Sequence, residues 1–164
     1  PWMQESSNKV IQQGEIVAFD TDMVGPYGYC ADISRAFVVG NKFNEEQKKL
    51  YLMAREQIDF NSRLIKDGVT FQEFTEKSWI LPEEYYPNRY SVMVHGIGLC
   101  DEWPAIRYPK DGGELSGTFQ KNMTITLESY IGKVGAKEGV KLEQQYLIGE
   151  NGLELMSHHP LEDV

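Results

Sequence analysis

The stretch FDTDMVGPYGYCADISRAF, Phe19–Phe37, decides how this chain folds. Two runs rich in β-branched and aromatic residues, Ile16 to Asp22 and Gly28 to Val39, flank the turn signal Gly25-Pro26-Tyr27-Gly28, so the segment is predicted to form a β-hairpin. With the turn centred near Tyr27, Asp22 falls directly opposite Asp32, and Asp20, two residues earlier, shares their face. Cys30 and Ala36 come inward on the same side. Like charges directly opposite on a sheet are destabilising, and a half-buried face offers them little water. A divalent cation would relieve the crowding; a solvated acidic turn is the other reading of these residues taken alone.

The rest of the composition is ordinary for one globular domain of 164 residues, with 41% hydrophobic and 25% charged. A formal net charge of -9 argues against a nucleic-acid or anionic-membrane surface as partner. No run reaches transmembrane length, and no signal peptide opens the chain. Cys30 and Cys100 give no disulfide framework; each is expected as a small core residue in a reducing, cytoplasmic setting. The opening PWMQESSNKV leads almost at once into the acid-bearing strand, which reads as a cut in front of a domain, residues 1–164 being its C-terminal part.

Beyond the hairpin, Asn44 and Gln47 form a capping-box pattern, and Leu50, Met53, Ala54, Ile58, Asn61, Leu64 and Ile65 keep helical spacing until Gly68. Thr70 and Glu73 repeat the pattern before a shorter helix, Phe71 to Trp79, that ends ahead of Pro82. Leu81 to Arg89 reads as an irregular aromatic loop. After Ser91–Val94 and a loop from Asp111 to Gly117, Met123–Ile131 and Val140–Ile148 are strand signals. Glu128 lies on the face of Thr124, Thr126 and Tyr130, and Glu143 lies with Lys141 and Gln145. A second ribbon thus repeats the acid-bearing plan of the first.

Six residues become candidate metal ligands: Asp20, Asp22, Asp32, His95, Glu128 and Glu143. Oxygen-rich ligation with one imidazole suits iron or manganese, with cobalt or zinc also suitable. Five carboxylates exceed the needs of one cation, so two divalent ions are expected. Glycines in Val94-His95-Gly96-Ile97-Gly98 let backbone approach a crowded site. Arg35 falls on the opposite face by parity, as a structural ion pair, and His158 and His159 lie in a polar tail with no chemical role.

In this order, Asp22 with Asp32-Ile33-Ser34-Arg35, His95-Gly96-Ile97-Gly98, Leu127-Glu128 and Leu142-Glu143 resemble the signature of the pita-bread metallopeptidase superfamily, which includes methionine aminopeptidase, proline aminopeptidase, prolidase and creatinase. The resemblance implies an α+β pita-bread catalytic domain, N-terminally incomplete here, holding two metals. Two departures separate the chain from the peptidases: their two Asp ligands stand one residue further apart than Asp22 and Asp32, and Glu102 stands where they carry a second histidine. Both departures are similar to the dimethylsulfoniopropionate lyase branch. That branch is described with an Asp-x-Asp pair, matched by Asp20 and Asp22, a base matched by Asp101, and a pocket tyrosine matched by Tyr90; a tryptophan expected slightly upstream is not matched.

The resemblance therefore implies a metal-dependent carbon–sulfur lyase acting on a small zwitterion, and a homodimer in the full-length parent. Asp101 would be the catalytic base, with Tyr90 and Trp103 offering aromatic faces to a sulfonium. An Xaa-Pro dipeptidase or aminopeptidase is the alternative, and a non-catalytic binding module of the same fold is a second one.

Overall fold

The computed structural model describes residues 8–40, 42–112 and 116–164. The acid-bearing segment is a hairpin in two ladders. Strand β1 (Ile16–Asp20) pairs antiparallel with β4 (Ser34–Val38), and β2 (Met23–Val24) pairs with β3 (Cys30–Ala31). Asp20 faces Ser34 and Met23 faces Ala31, which is the register expected from a turn centred at Tyr27. Between the ladders the pairing lapses, and the Thr21 hydroxyl takes over: it donates to the Ile33 carbonyl and accepts from the Ile33 N–H. A side chain there satisfies backbone groups that the sheet leaves open.

Helix α1 (Glu45–Ser62) begins with the expected capping box. The Asn44 side chain accepts from the Gln47 N–H at 2.9 Å, and the Gln47 side chain accepts from the Asn44 N–H at 3.0 Å. The helix stops short of Gly68, because Arg63, Leu64 and Ile65 bond three residues back to Phe60, Asn61 and Ser62 and so tighten its end. Helix α2 (Phe71–Lys77) is capped by Thr70, whose hydroxyl accepts from the Glu73 N–H.

A five-stranded antiparallel sheet forms the body, in the order β6 (Ala105–Arg107), β5 (Val92–Gly96), β7 (Thr124–Gly132), β8 (Gly139–Gly149), β9 (Gly152–Leu155). Alternation divides its two faces. Leu127 and Ile131 of β7 and Val140, Leu142 and Ile148 of β8 join Leu50, Tyr51, Ala54 and Ile58 of α1 in the core. Burying each large apolar side chain is worth about 1.5–3 kcal/mol. His95, Glu128, Lys141 and Glu143 alternate with these residues and are turned to the other face, over which the first hairpin lies with β4 packed on β8.

Arg35 corrects a reading by parity. Instead of an ion pair it makes a buried set of hydrogen bonds to neutral groups, its guanidinium donating to five oxygens: the carbonyls of Ser34, Glu143, His159 and Pro160 and the Gln144 side chain. Among the described residues it has no ion-pair partner; it ties the hairpin to β8 and the C-terminal segment. Of the two cysteines, Cys30 is half-buried and Cys100 is exposed, so Cys100 is not a core residue. Part of the loop expected from Asp111 to Gly117 falls outside the described residues.

Candidate metal centre

Register builds the centre. Glu128 and Glu143 are direct cross-strand partners in β7 and β8, and His95 sits opposite Thr126 on the β5 side of the same face. Asp32 enters from the hairpin, where its N–H donates to the Gln145 side chain at 3.3 Å. Asp32, His95, Glu128 and Glu143 are all buried, with exposures of 2% or less. Their polar atoms converge on the His95 Nε2: Glu143 Oε1 lies at 3.2 Å, Glu128 Oε1 at 3.6 Å and Asp32 Oδ2 at 3.7 Å. The other ring nitrogen, Nδ1, meets the Gly96 carbonyl at 3.0 Å, which orients the imidazole.

A second cluster adjoins the first. Asp20 accepts from the Lys141 ammonium, and the one Ser34 hydroxyl proton is shared between Asp20 and Glu143 Oε2, the latter at 3.0 Å. Lys141 Nζ lies 3.4 Å from Glu128 Oε2 and 3.6 Å from Glu143 Oε2. Oxygen, nitrogen and carboxylate atoms thus gather in three overlapping sets able to hold an ion: Asp32, His95 and Asp101; His95, Glu128 and Glu143; Asp20, Asp32 and Glu143.

The fit of a divalent cation is carried by atoms that the protein leaves unsatisfied. Asp32 Oδ1 and Glu128 Oε1 are fully buried yet have no hydrogen-bond partner. Buried carboxylate oxygens without partners are costly. Electrostatics shows the same tension. Burial, followed by the charges of Glu143, Asp22 and Asp20, raises Asp32 above the usual carboxylate range. Burial and the charge of Glu143 do the same to Glu128. Burial opposes a charge on His95, but the Glu143 hydrogen bond and the charges of Glu128 and Glu143 outweigh it and push the imidazole up to about 10. Glu143 is held low despite its burial, through the His95 hydrogen bond and the Lys141 charge. Without metal, protons therefore take the place of positive charge.

The six expected ligands do not converge equally. Asp32, His95, Glu128 and Glu143 meet at one point, and Asp20 joins Asp32 and Glu143 in a neighbouring set, bonded to Ser34 and Lys141. Asp22 is exposed and stands outside the three sets among the described residues, close enough to Asp32 to raise it by charge and hydrogen bond. It sits where the hairpin ladder lapses, so the strand no longer aims it inward.

Asp101 lies at the rim, with Oδ1 4.0 Å from His95 Nδ1 and its side chain 29% exposed. The Tyr90 hydroxyl donates to Glu102, 3.0 Å from either carboxylate oxygen, while Trp103 is 60% exposed. Gly96 makes this rim possible: a Cβ there would stand 2.1 Å from the Trp103 carbonyl oxygen, and the Gly96 N–H donates to the Pro104 carbonyl. Ser34 and Lys141 are the residues that motif reading passed over. Their signal was parity, since each stands two positions from a ligand candidate, Asp32 and Glu143.

A model of metallopeptidase family M24 matches residues 1–150. The chain belongs to that family. Within M24 it is similar to two curated proteins named dimethylsulfoniopropionate lyase DddP. The one from Roseovarius nubinhibens is 39% identical and the one from Roseobacter denitrificans 36%, each match covering 99% of this chain and 37% of the relative. Among solved structures, prolidase from Pyrococcus furiosus has a TM-score of 0.78 at 29% identity, over 94% of this chain and 44% of that one. Prolidase from Thermococcus sibiricus has a TM-score of 0.81 at 25% identity, over 98% and 42%. The α+β fold is therefore the pita-bread fold of M24 enzymes, and the chain spans less than half the length of these relatives.

Proposed function

We propose that the protein is a metal-dependent carbon–sulfur lyase that eliminates dimethyl sulfide from dimethylsulfoniopropionate and leaves acrylate. The observation that carries this reading is Asp101, a carboxylate at the rim of a buried metal centre, partly open to solvent and grouped with Asp32 and His95. Similarity to the two lyases supports it over the full length of the chain.

Asp32, His95, Glu128 and Glu143 would hold one divalent ion, iron or manganese by donor chemistry, and Asp20 and Asp22 would help hold a second. When bound, such ions neutralise the substrate carboxylate and the negative charge that develops beside it. The chain's own residues supply the remainder. Tyr90 and Trp103 present aromatic faces to the sulfonium, an attraction of about 0.5–2 kcal/mol. The Asp101 carboxylate takes the α-proton, the electron pair left on carbon forms the double bond, and the carbon–sulfur bond breaks. Dimethyl sulfide leaves neutral, so no acid is needed at Glu102, and Asp101 returns its proton to water. A homodimer in a cytoplasmic setting accompanies this reading.

A proline-directed peptidase is the rival, supported by the prolidase neighbours. Glu102, bound to the Tyr90 hydroxyl, offers a carboxylate where that chemistry would use an imidazole. A non-catalytic module has less support, since a fold that had given up its metals would gain by satisfying Asp32 Oδ1 and Glu128 Oε1. The test is a paired assay: metal-loaded intact protein is given dimethylsulfoniopropionate or an Xaa-Pro dipeptide, and dimethyl sulfide or free proline is measured. Sulfide without proline is expected; proline without sulfide would sink the lyase.

A further inference from the structure

We propose that Lys141 is a built-in cation that splits metal loading into two unequal steps, the second requiring its ammonium to give way. This rests on reading the carboxylate cluster as a metal centre.

The geometry shows a division of labour within single carboxylates. Glu128 and Glu143 each turn Oε1 toward His95 Nε2 and Oε2 toward Lys141 Nζ. The His95 side is a complete four-donor set, closed by Asp32 Oδ2. The other side already has its positive charge: Lys141 Nζ sits among Asp20 Oδ2, Glu128 Oε2 and Glu143 Oε2. An ammonium brings three donors, and three acceptor oxygens surround it here. Its side chain is only 11% exposed and those of Glu128 and Glu143 are buried, so water screens these two pairings poorly, while Asp20 reaches solvent.

A first metal on the His95 side meets an oxygen that the protein leaves unpaired, Glu128 Oε1. A second metal needs Asp20 and Glu143 oxygens that Lys141 holds, and it would stand next to a like charge. The four-carbon stem lets the ammonium withdraw from Asp20 and Glu143. Lys141 thus acts on the second metal through Asp20 and Glu143, as a positioning residue.

The test is calorimetric titration of chelator-stripped intact protein with manganese alone, comparing wild type, Lys141→Met and Lys141→Arg. Wild type should show two steps. In Lys141→Met the second dissociation constant should fall at least about tenfold while the first stays within about threefold, because only the second meets the ammonium. Lys141→Arg keeps the charge and should keep the second step weak. Lys141→Gln provides a second neutral variant and must behave as Met does, should Lys141→Met fail to fold. A first step present with the second unchanged or weaker in the neutral variants would overturn the role of Lys141 alone. No uptake by wild type would overturn it together with the metal-centre reading.

Discussion

Glu128 and Glu143 are direct partners across β7 and β8, and each faces the His95 imidazole with one carboxylate oxygen and the Lys141 ammonium with the other. Two acids opposed on neighbouring strands repel unless positive charge lies on both sides of them. Glu143 is the more strongly engaged, since it also accepts from Ser34 and lies nearest to His95. Glu143→Gln should therefore lower metal affinity at least about 100-fold, beyond what removing a supporting hydrogen bond costs. Metal analysis after dialysis checks this, with full retention of metal as the contrary result.

Acid–base linkage gives a second expectation. His95 is raised from 6.5 to about 10 in the fold, so its contribution to stability is complete below pH 6.5 and is lost as pH rises toward 10. Asp32 is raised too, and a carboxyl that the fold prefers protonated costs stability once pH passes its unfolded value of 3.8. Both act in one direction. The melting temperature of metal-free protein should fall between pH 6.5 and 9, and metal should reverse the fall by taking the place of the protons. A metal-free melting temperature that rises over that interval would contradict the assignment.

Asp101 stands at the rim, partly exposed and outside the four atoms that converge on His95 Nε2, so as a base its loss should spare metal binding. Asp101→Asn is expected to keep the wild-type metal content and lose about 10²–10⁴-fold in dimethyl sulfide release, the range for a general base. Equal loss of metal and turnover would make Asp101 a ligand and not a base.

Gly96 ties the sheet to the rim that carries Asp101, Glu102 and Trp103. A methyl group at Gly96 would collide with the Trp103 carbonyl, which is backbone and cannot turn aside as a side chain could. Gly96→Ala should cost about 1–3 kcal/mol in denaturant unfolding, and it should lower turnover more than metal content by displacing the rim. A variant as stable and active as wild type would show that the loop has room to move.

The register of the first hairpin, the helix caps and the presence of a second acid-bearing ribbon were legible because local signals agreed: the Gly25–Gly28 turn fixed Asp20 against Ser34, and the Asn44 box fixed the start of α1. The convergence of the four candidate ligands was legible as well, since alternation puts His95, Glu128 and Glu143 on one face. Asp22 was not, because the interruption at Thr21 depends on a hydroxyl that replaces a ladder bond. Arg35 was misread for a related reason. Parity turned it away from the acids, but the C-terminal segment returns over that face and surrounds it with carbonyls. Strands β6 and β9 carry only three and four residues, too few for periodicity to reveal.

The most direct measurement is an anomalous-difference map from crystals of the manganese-loaded intact protein. A peak within coordinating distance of His95 Nε2, Asp32 Oδ2, Glu128 Oε1 and Glu143 Oε1 is expected, where the fold brings these atoms together. A map with manganese only at surface carboxylates, and His95 still bonded to Glu143, would contradict the assignment of this cluster as the metal centre.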